Sequence, residues 1–127
     1  MNAKDSRHAT GARAEQHAAD YLTAKGYHIL SRNWRCRSGE LDIVASSNGI
    51  VVIVEVRSRR DGSGGRFGHP LESVERRKQA QVRRTAAVYL QQAGSSGLNV
   101  SIRFDVISVV LHDDGTVAEL CHVPQAF

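Results

Sequence analysis

The sequence predicts an α/β fold, a mixed central sheet flanked by helices in the order α-β-β-β-α-β-β. Three observations predict it. Ser46-Ser47-Asn48-Gly49 lies between strand-like runs at 41–45 and 50–56, and Asn-Gly at such a junction is the strongest short-range hairpin signal. Residues 9–25 are alanine-rich, helical in spacing, and stop at Gly26, a residue that commonly ends helices. A second helical stretch, Leu71 to Ala93, divides the hairpin from two further strand-like runs, and helices so placed pack against a sheet.

In chain order, Tyr27 to Cys36 reads as extended after the first helix. The second arm of the hairpin, 50–56, is apolar on both faces, which predicts a central, covered strand. Residues 59–69 read as a mobile loop rich in glycine and arginine, with Gly62, Gly64, Gly65 and Gly68. The dinucleotide-binding spacing G-x-G-x-x-G fails there, because Phe67 stands at the last glycine position. Pro70 sits where a helix can begin, and Gly94 follows its end. Val100 to Leu111 alternates as a strand, Asp113-Asp114-Gly115 turns, and Val117 to Val123 pairs back. With no repeat and no linker, residues 1–127 are expected to form a single domain.

Composition narrows the class. The 127 residues are 41% hydrophobic and 24% charged, the balance of a globular protein. The longest apolar run, Ile50 to Val54, is far short of the roughly 18 residues of a membrane span. The first residues lack the apolar region of a secretory signal, and Cys36 and Cys121 have no C-x-x-C partner. A cytoplasmic protein with free thiols and no membrane partner is expected. Residues 57–84 hold nine basic side chains against three acidic ones, so the whole positive excess of the +4 chain lies in that block. Such a block suits phosphate contacts.

The hairpin carries the chemistry. A two-residue turn at Asn48-Gly49 sets Asp42 opposite Glu55, with both side chains on one face and their Cβ atoms roughly 5 Å apart. Half-buried like charges so close need an offset, which a divalent cation held by oxygen ligands supplies. Against this stands a plainer arrangement, with Asp42 in water and Glu55 neutralised by Arg57 or Arg59. On the first helix Glu15 falls within the stripe Ala12, Ala18, Ala19 and Leu22. On the second, Lys78 falls within the stripe Val74, Val82, Thr85 and Tyr89, while Arg76, Arg77, Arg83 and Arg84 lie opposite. Charges aimed at a sheet need partners. Those are either the acid pair, which makes a site, or a buried bridge from Glu15 to Lys78 or Arg57. The six histidines form no i, i+4 pair, so zinc is not expected.

Taken together these residues resemble a known family. Glu15, then Gly39-Glu40-Leu41-Asp42-Ile43-Val44-Ala45, then Val54-Glu55-Val56-Arg57 resembles the PD-(D/E)XK nuclease superfamily. More narrowly the chain is similar to the YraN family, catalogued as UPF0102 and related to Holliday junction resolvases. The likeness extends through Gly26-Tyr27, Asn33-Trp34-Arg35, Phe67-Gly68, Lys78, Arg103-Phe104-Asp105 and Ala126-Phe127. It implies a restriction endonuclease-like three-layer fold, Asp42 and Glu55 as ligands of Mg²⁺ or Mn²⁺, and Glu15 as an accessory acid. The motif's final lysine is here Arg57, which stays protonated and so stabilises charge without serving as a base. Lys78 is expected to reach the acids from the second helix and take that lysine's place. The resulting expectation is an endonuclease-like protein acting on DNA phosphodiester bonds, in branched or damaged DNA. Its catalytic residues would be Glu15, Asp42, Glu55, Arg57 and Lys78, with nucleic acid gripped by Arg59, Arg60 and Arg66. A homodimer is suggested by the junction-cleaving relatives. The alternative is a nucleic-acid-binding module that keeps the nuclease fold without catalysis.

Overall fold

The computed structural model describes residues 3–61, 75–94 and 100–127, with side chains from Ala9 onward. Helix α1 spans Ala3–Ala24 and is followed by strands β1 His28–Cys36, β2 Gly39–Ser47 and β3 Ile50–Arg60. Helix α2, Arg76–Gln92, precedes β4 Ser101–Leu111 and β5 Val117–Val123. The predicted element order holds. The strands form one mixed sheet in the spatial order β1-β2-β3-β4-β5. All neighbours are antiparallel except β3 and β4, which run parallel from Ile50↔Ser101 to Arg60↔Leu111.

The core divides by face, as period-2 alternation requires. Val52 and Val54 of β3 pack with Ala14, Ala18, Ala19 and Leu22 of α1 and with Ile107, Val109 and Leu111 of β4. Ile53 turns to the other face and packs with Val82 and Ala86 of α2, Leu41, Val44 and Phe104. The result is three layers, helix–sheet–helix, with β3 covered on both sides. The buried stripe of α1 uses Ala14 where Ala12 was expected, and Ala12 is exposed.

Local signals act as read. Asn48 and Gly49 take φ of 51° and 78°, the two left-handed residues a twisted hairpin turn demands. Gly26 ends α1 at φ 94°. Two boundaries differ. Arg59 and Arg60 belong to β3 and not to a loop, because the parallel ladder with β4 continues to Arg60↔Leu111. Helix α2 begins at Arg76 and is not continuous from Leu71, because Glu75 is extended (φ −59°, ψ 147°). Arg66, residues 62–69 of the expected loop, and the expected helix start at Leu71 lie outside the described residues. Among those described, no helix is long and apolar enough to cross a membrane.

Candidate functional site

The antiparallel ladder between β2 and β3 starts at Ser47↔Ile50 and stops at Ile43↔Val54. Asp42 and Glu55 hold the next position, where the two strands part. In place of a backbone pair, Asp42 Oδ2 accepts the Val56 N–H at 2.9 Å. Face alternation also breaks here: Leu41 belongs to the α2-side core and Ile43 to the α1-side core, two residues that a regular strand would put together. Across the pair of strands Asn33 of β1 sits at φ 51° between the partners Arg32↔Ile43 and Trp34↔Leu41. This local irregularity aims the Asp42 carboxylate between α1 and β3.

Glu55 receives two neighbours. Its side chain is 8% exposed, and Lys78 Nζ lies 3.3 Å from its Oε1, reaching down from the first turn of α2. The Asp42 carboxylate is its like-charged neighbour. Burial, then the Asp42 charge, pushes the Glu55 carboxyl up from 4.5 to about 7, and the Lys78 ammonium offsets only part of this. Glu15 is likewise pushed up to about 7, by burial first and then by Asp42 and Glu40, against the pull of Arg32 and Arg35. Asn33, with its amide nitrogen turned toward α1, donates to Glu15 Oε1 at 2.8 Å and Oε2 at 3.2 Å. Glu40 leans away onto Arg35 at 3.5 Å.

The structure therefore brings together Glu15, Asp42, Glu55 and Lys78 from four elements. The bridge from Glu15 to Lys78 that the sequence left open does not form; Lys78 pairs with Glu55 instead. Arg57 and Arg59 follow Glu55 on β3 at two-residue steps, so they share its face. Arg59 Nε is buried with no hydrogen-bond partner among the described residues. Arg60 alternates to the α1 side, where its Nε donates to Thr10 Oγ1 at 3.2 Å beside a small cleft shared with Arg13 and His112. Arg59 and Arg60 thus point to opposite faces of the sheet.

Asp42 and Glu55 are the residues that would hold a cation. Among the described residues no group of three or more His, Cys, Asp or Glu side chains converges in a metal-binding arrangement. Two adjacent carboxylates on oxygen alone nonetheless fit Mg²⁺, which keeps several waters and is bound by one or two carboxylates together with substrate phosphates.

A second polar cluster centres on Asp105, of which the sequence reading reached only the Arg103–Asp105 contact along one strand face. Asp105, fully buried in β4, accepts hydrogen bonds from Arg103 Nε and Nη2 at 2.8 Å each and from the Gln125 N–H at 3.1 Å, and meets His122 Nε2 at 2.7 Å. Arg103 also donates to Tyr27 OH at 2.8 Å, and Tyr21 OH meets His122 Nδ1 at 3.1 Å. Burial by itself would raise the Asp105 carboxyl, but the bonds from His122, Arg103 and Gln125 outweigh it and hold the group below its ordinary value. This cluster ties α1, β1's approach, β4, β5 and the segment after β5 into one unit.

Comparison with known proteins places the chain in a family. The profile described as "Uncharacterised protein family UPF0102" matches residues 14–109, a span that includes every residue of the acid cluster. A UPF0102 protein of Desulforamulus reducens is 44% identical over 121 residues, 94% of this chain and 96% of its own length. One from Pelotomaculum thermopropionicum is 43% identical over 97% of this chain and 98% of its own. One from Symbiobacterium thermophilum is 46% identical over 83% and 85%. By the profile and by full-length likeness alike, this chain belongs to the UPF0102 family.

Proposed function

We propose that the protein is a metal-dependent phosphodiesterase acting on DNA, with Asp42 and Glu55 as the cation's ligands. The observation that carries this reading is the buried Glu55, which meets a second carboxylate and a lysine ammonium at the point where β2 and β3 diverge. A carboxylate pair of this kind is poorly solvated and mutually repulsive, and structure alone gives no return for it. A divalent ion at the pair supplies charge neutralisation and Lewis acidity toward water and phosphate. Lys78 holds Glu55 in place and presents a cation beside the reacting phosphate. Arg57, fixed on the same strand face, stabilises the charge that develops there. Glu15, with Asn33 orienting it, is a carboxylic acid with a pKa near neutrality, suited to passing a proton.

Calorimetry with Mg²⁺ and Mn²⁺ on the native protein and on Asp42→Ala is the test. Micromolar to low-millimolar binding that disappears in the variant supports the reading. Cleavage of branched and single-stranded DNA should then fall by about 10² or more in Lys78→Met, the scale of losing one preorganised electrostatic contact. Absence of metal binding, even with DNA added, would favour a second reading on the strength of Arg57: a nucleic-acid-binding module whose motif base is lost.

A further inference from the structure

We propose that the solvent face of α2 is the surface on which a DNA duplex rests, with Arg76, Arg77, Arg83 and Arg84 contacting its phosphates. The proposal deepens the nucleic-acid reading above and rests on it. Between Arg76 and Gln92 the helix carries five basic side chains and no acidic one. Arg76 and Arg83 lie seven residues apart, as do Arg77 and Arg84, so each pair stacks along the helix within about 20° of the same direction. The Arg77–Arg84 row faces away from Val82, Thr85, Ala86 and Leu90, which are buried, while the Arg76–Arg83 row flanks that stripe on its Leu90 side; all four arginines are exposed. Each row is about 10 Å long at 1.5 Å per residue, roughly three nucleotides of one strand at 3.4 Å each.

A solvated arginine face is the plain alternative, and two observations argue against it. Arg76, Arg77 and Lys78 occupy the first turn of α2, which has no acidic residue and no side-chain cap. Cations there oppose the helix dipole and its unpaired N–H groups, so the sequence works against the helix's own stability. A polyanion on that face reverses the sign. Second, the Arg83 guanidinium is already seated, 4.7 Å from the ring centre of Phe104 and 5.6 Å from that of Phe127, two rings that stack on each other. Its position is fixed before any phosphate arrives, which lowers the entropy lost on contact. Lys78 leaves the same first turn toward Glu55, so the arginine rows begin at the end of α2 that adjoins the acid site.

The experiment is fluorescence anisotropy of a labelled DNA duplex in EDTA, from 50 to 200 mM salt, on the wild type, the double variant Arg77→Gln/Arg84→Gln, and Lys25→Gln as a control on α1. Neither Arg77 nor Arg84 packs in the core, so a thermal melt should match the wild type. Loss of two phosphate contacts should make the slope of log K against log salt shallower by about 1.8 and weaken binding at least about tenfold. Lys25→Gln should bind as the wild type does. A wild type that binds while the double variant keeps its slope overturns the α2 surface and leaves the phosphodiesterase reading standing. A wild type that fails to bind duplex at 50 mM salt, or binds phosphatidylglycerol vesicles instead, likewise overturns the α2 surface, while the phosphodiesterase reading falls only if the metal titration and the cleavage of branched and single-stranded DNA fail.

Discussion

Replacing Glu55 by glutamine should make the protein increasingly more stable than the wild type as pH rises. The Glu55 carboxyl moves from 4.5 in the open chain to about 7 in the fold, by burial and by the Asp42 charge. An acid raised in this way binds its proton more tightly when folded. Its contribution therefore favours folding in full below pH 4.5 and is lost as pH climbs through about 7. A shift of about 2.5 units at 1.36 kcal/mol each amounts to about 3 kcal/mol. With only 8% of the side chain exposed, little of this is screened by water. Glu15 acts in the same direction but more weakly, since more of it meets solvent. Urea unfolding in EDTA at pH 4.5, 6, 7 and 8 measures it. Other titrating groups are common to both proteins, so the difference Glu55→Gln minus wild type isolates the site. That difference should swing by about 3 kcal/mol toward the variant between pH 4.5 and 8, or about 1–3 M in midpoint at usual slopes. A difference that stays constant across the range would mean the pair is not electrostatically frustrated, and the case for a cation there would lose its physical basis.

Asp105→Asn should cost about 3 kcal/mol, because it leaves Arg103 with half its bidentate partner in a site closed to water; a urea midpoint within 0.3 M of wild type would show the cluster to be dispensable. Gly115→Ala should destabilise by about 1–2 kcal/mol, since Gly115 sits at φ 88° and an added Cβ would fall 2.6 Å from Arg13 Cδ. Trimming Arg13 to alanine in that background should recover the steric part and leave the backbone part, as a double-mutant cycle would report.

Much of this was legible before any coordinates. The hairpin was fixed by Asn48-Gly49, and from its turn the meeting of Asp42 with Glu55 follows by counting. Lys78 was legible because one cation stands on an otherwise apolar stripe. What the counting missed is that the ladder ends at Ile43↔Val54, so that a carboxylate takes the Val56 N–H in place of a backbone carbonyl. The signal was slight: Asn33, a turn residue inside a strand-like run, which takes a left-handed backbone and turns its amide toward Glu15. The end of β3 was missed because Arg57-Ser58-Arg59-Arg60 has no apolar face, and its pairing is decided by β4. Around Asp105 only the Arg103 contact was legible, from a two-residue step on one strand. The other members, Tyr21, Tyr27, His122 and Gln125, come from both ends of the chain, and no local spacing relates them to Asp105.

The parallel pairing of β3 with β4 has a kinetic consequence. Each of its pairs joins residues 51 positions apart, from Ile50↔Ser101 to Arg60↔Leu111, whereas β1, β2 and β3 close through turns of a few residues. Loop-closure entropy makes the meander the early event and the β4 docking the late one. Asp42 and Glu55 therefore meet in the meander before Lys78 and β4 are in place, and their repulsion falls on the folding barrier. Refolding should then quicken on mild acidification while unfolding changes less. A chevron in which β4 substitutions slowed folding as much as hairpin substitutions would contradict that order.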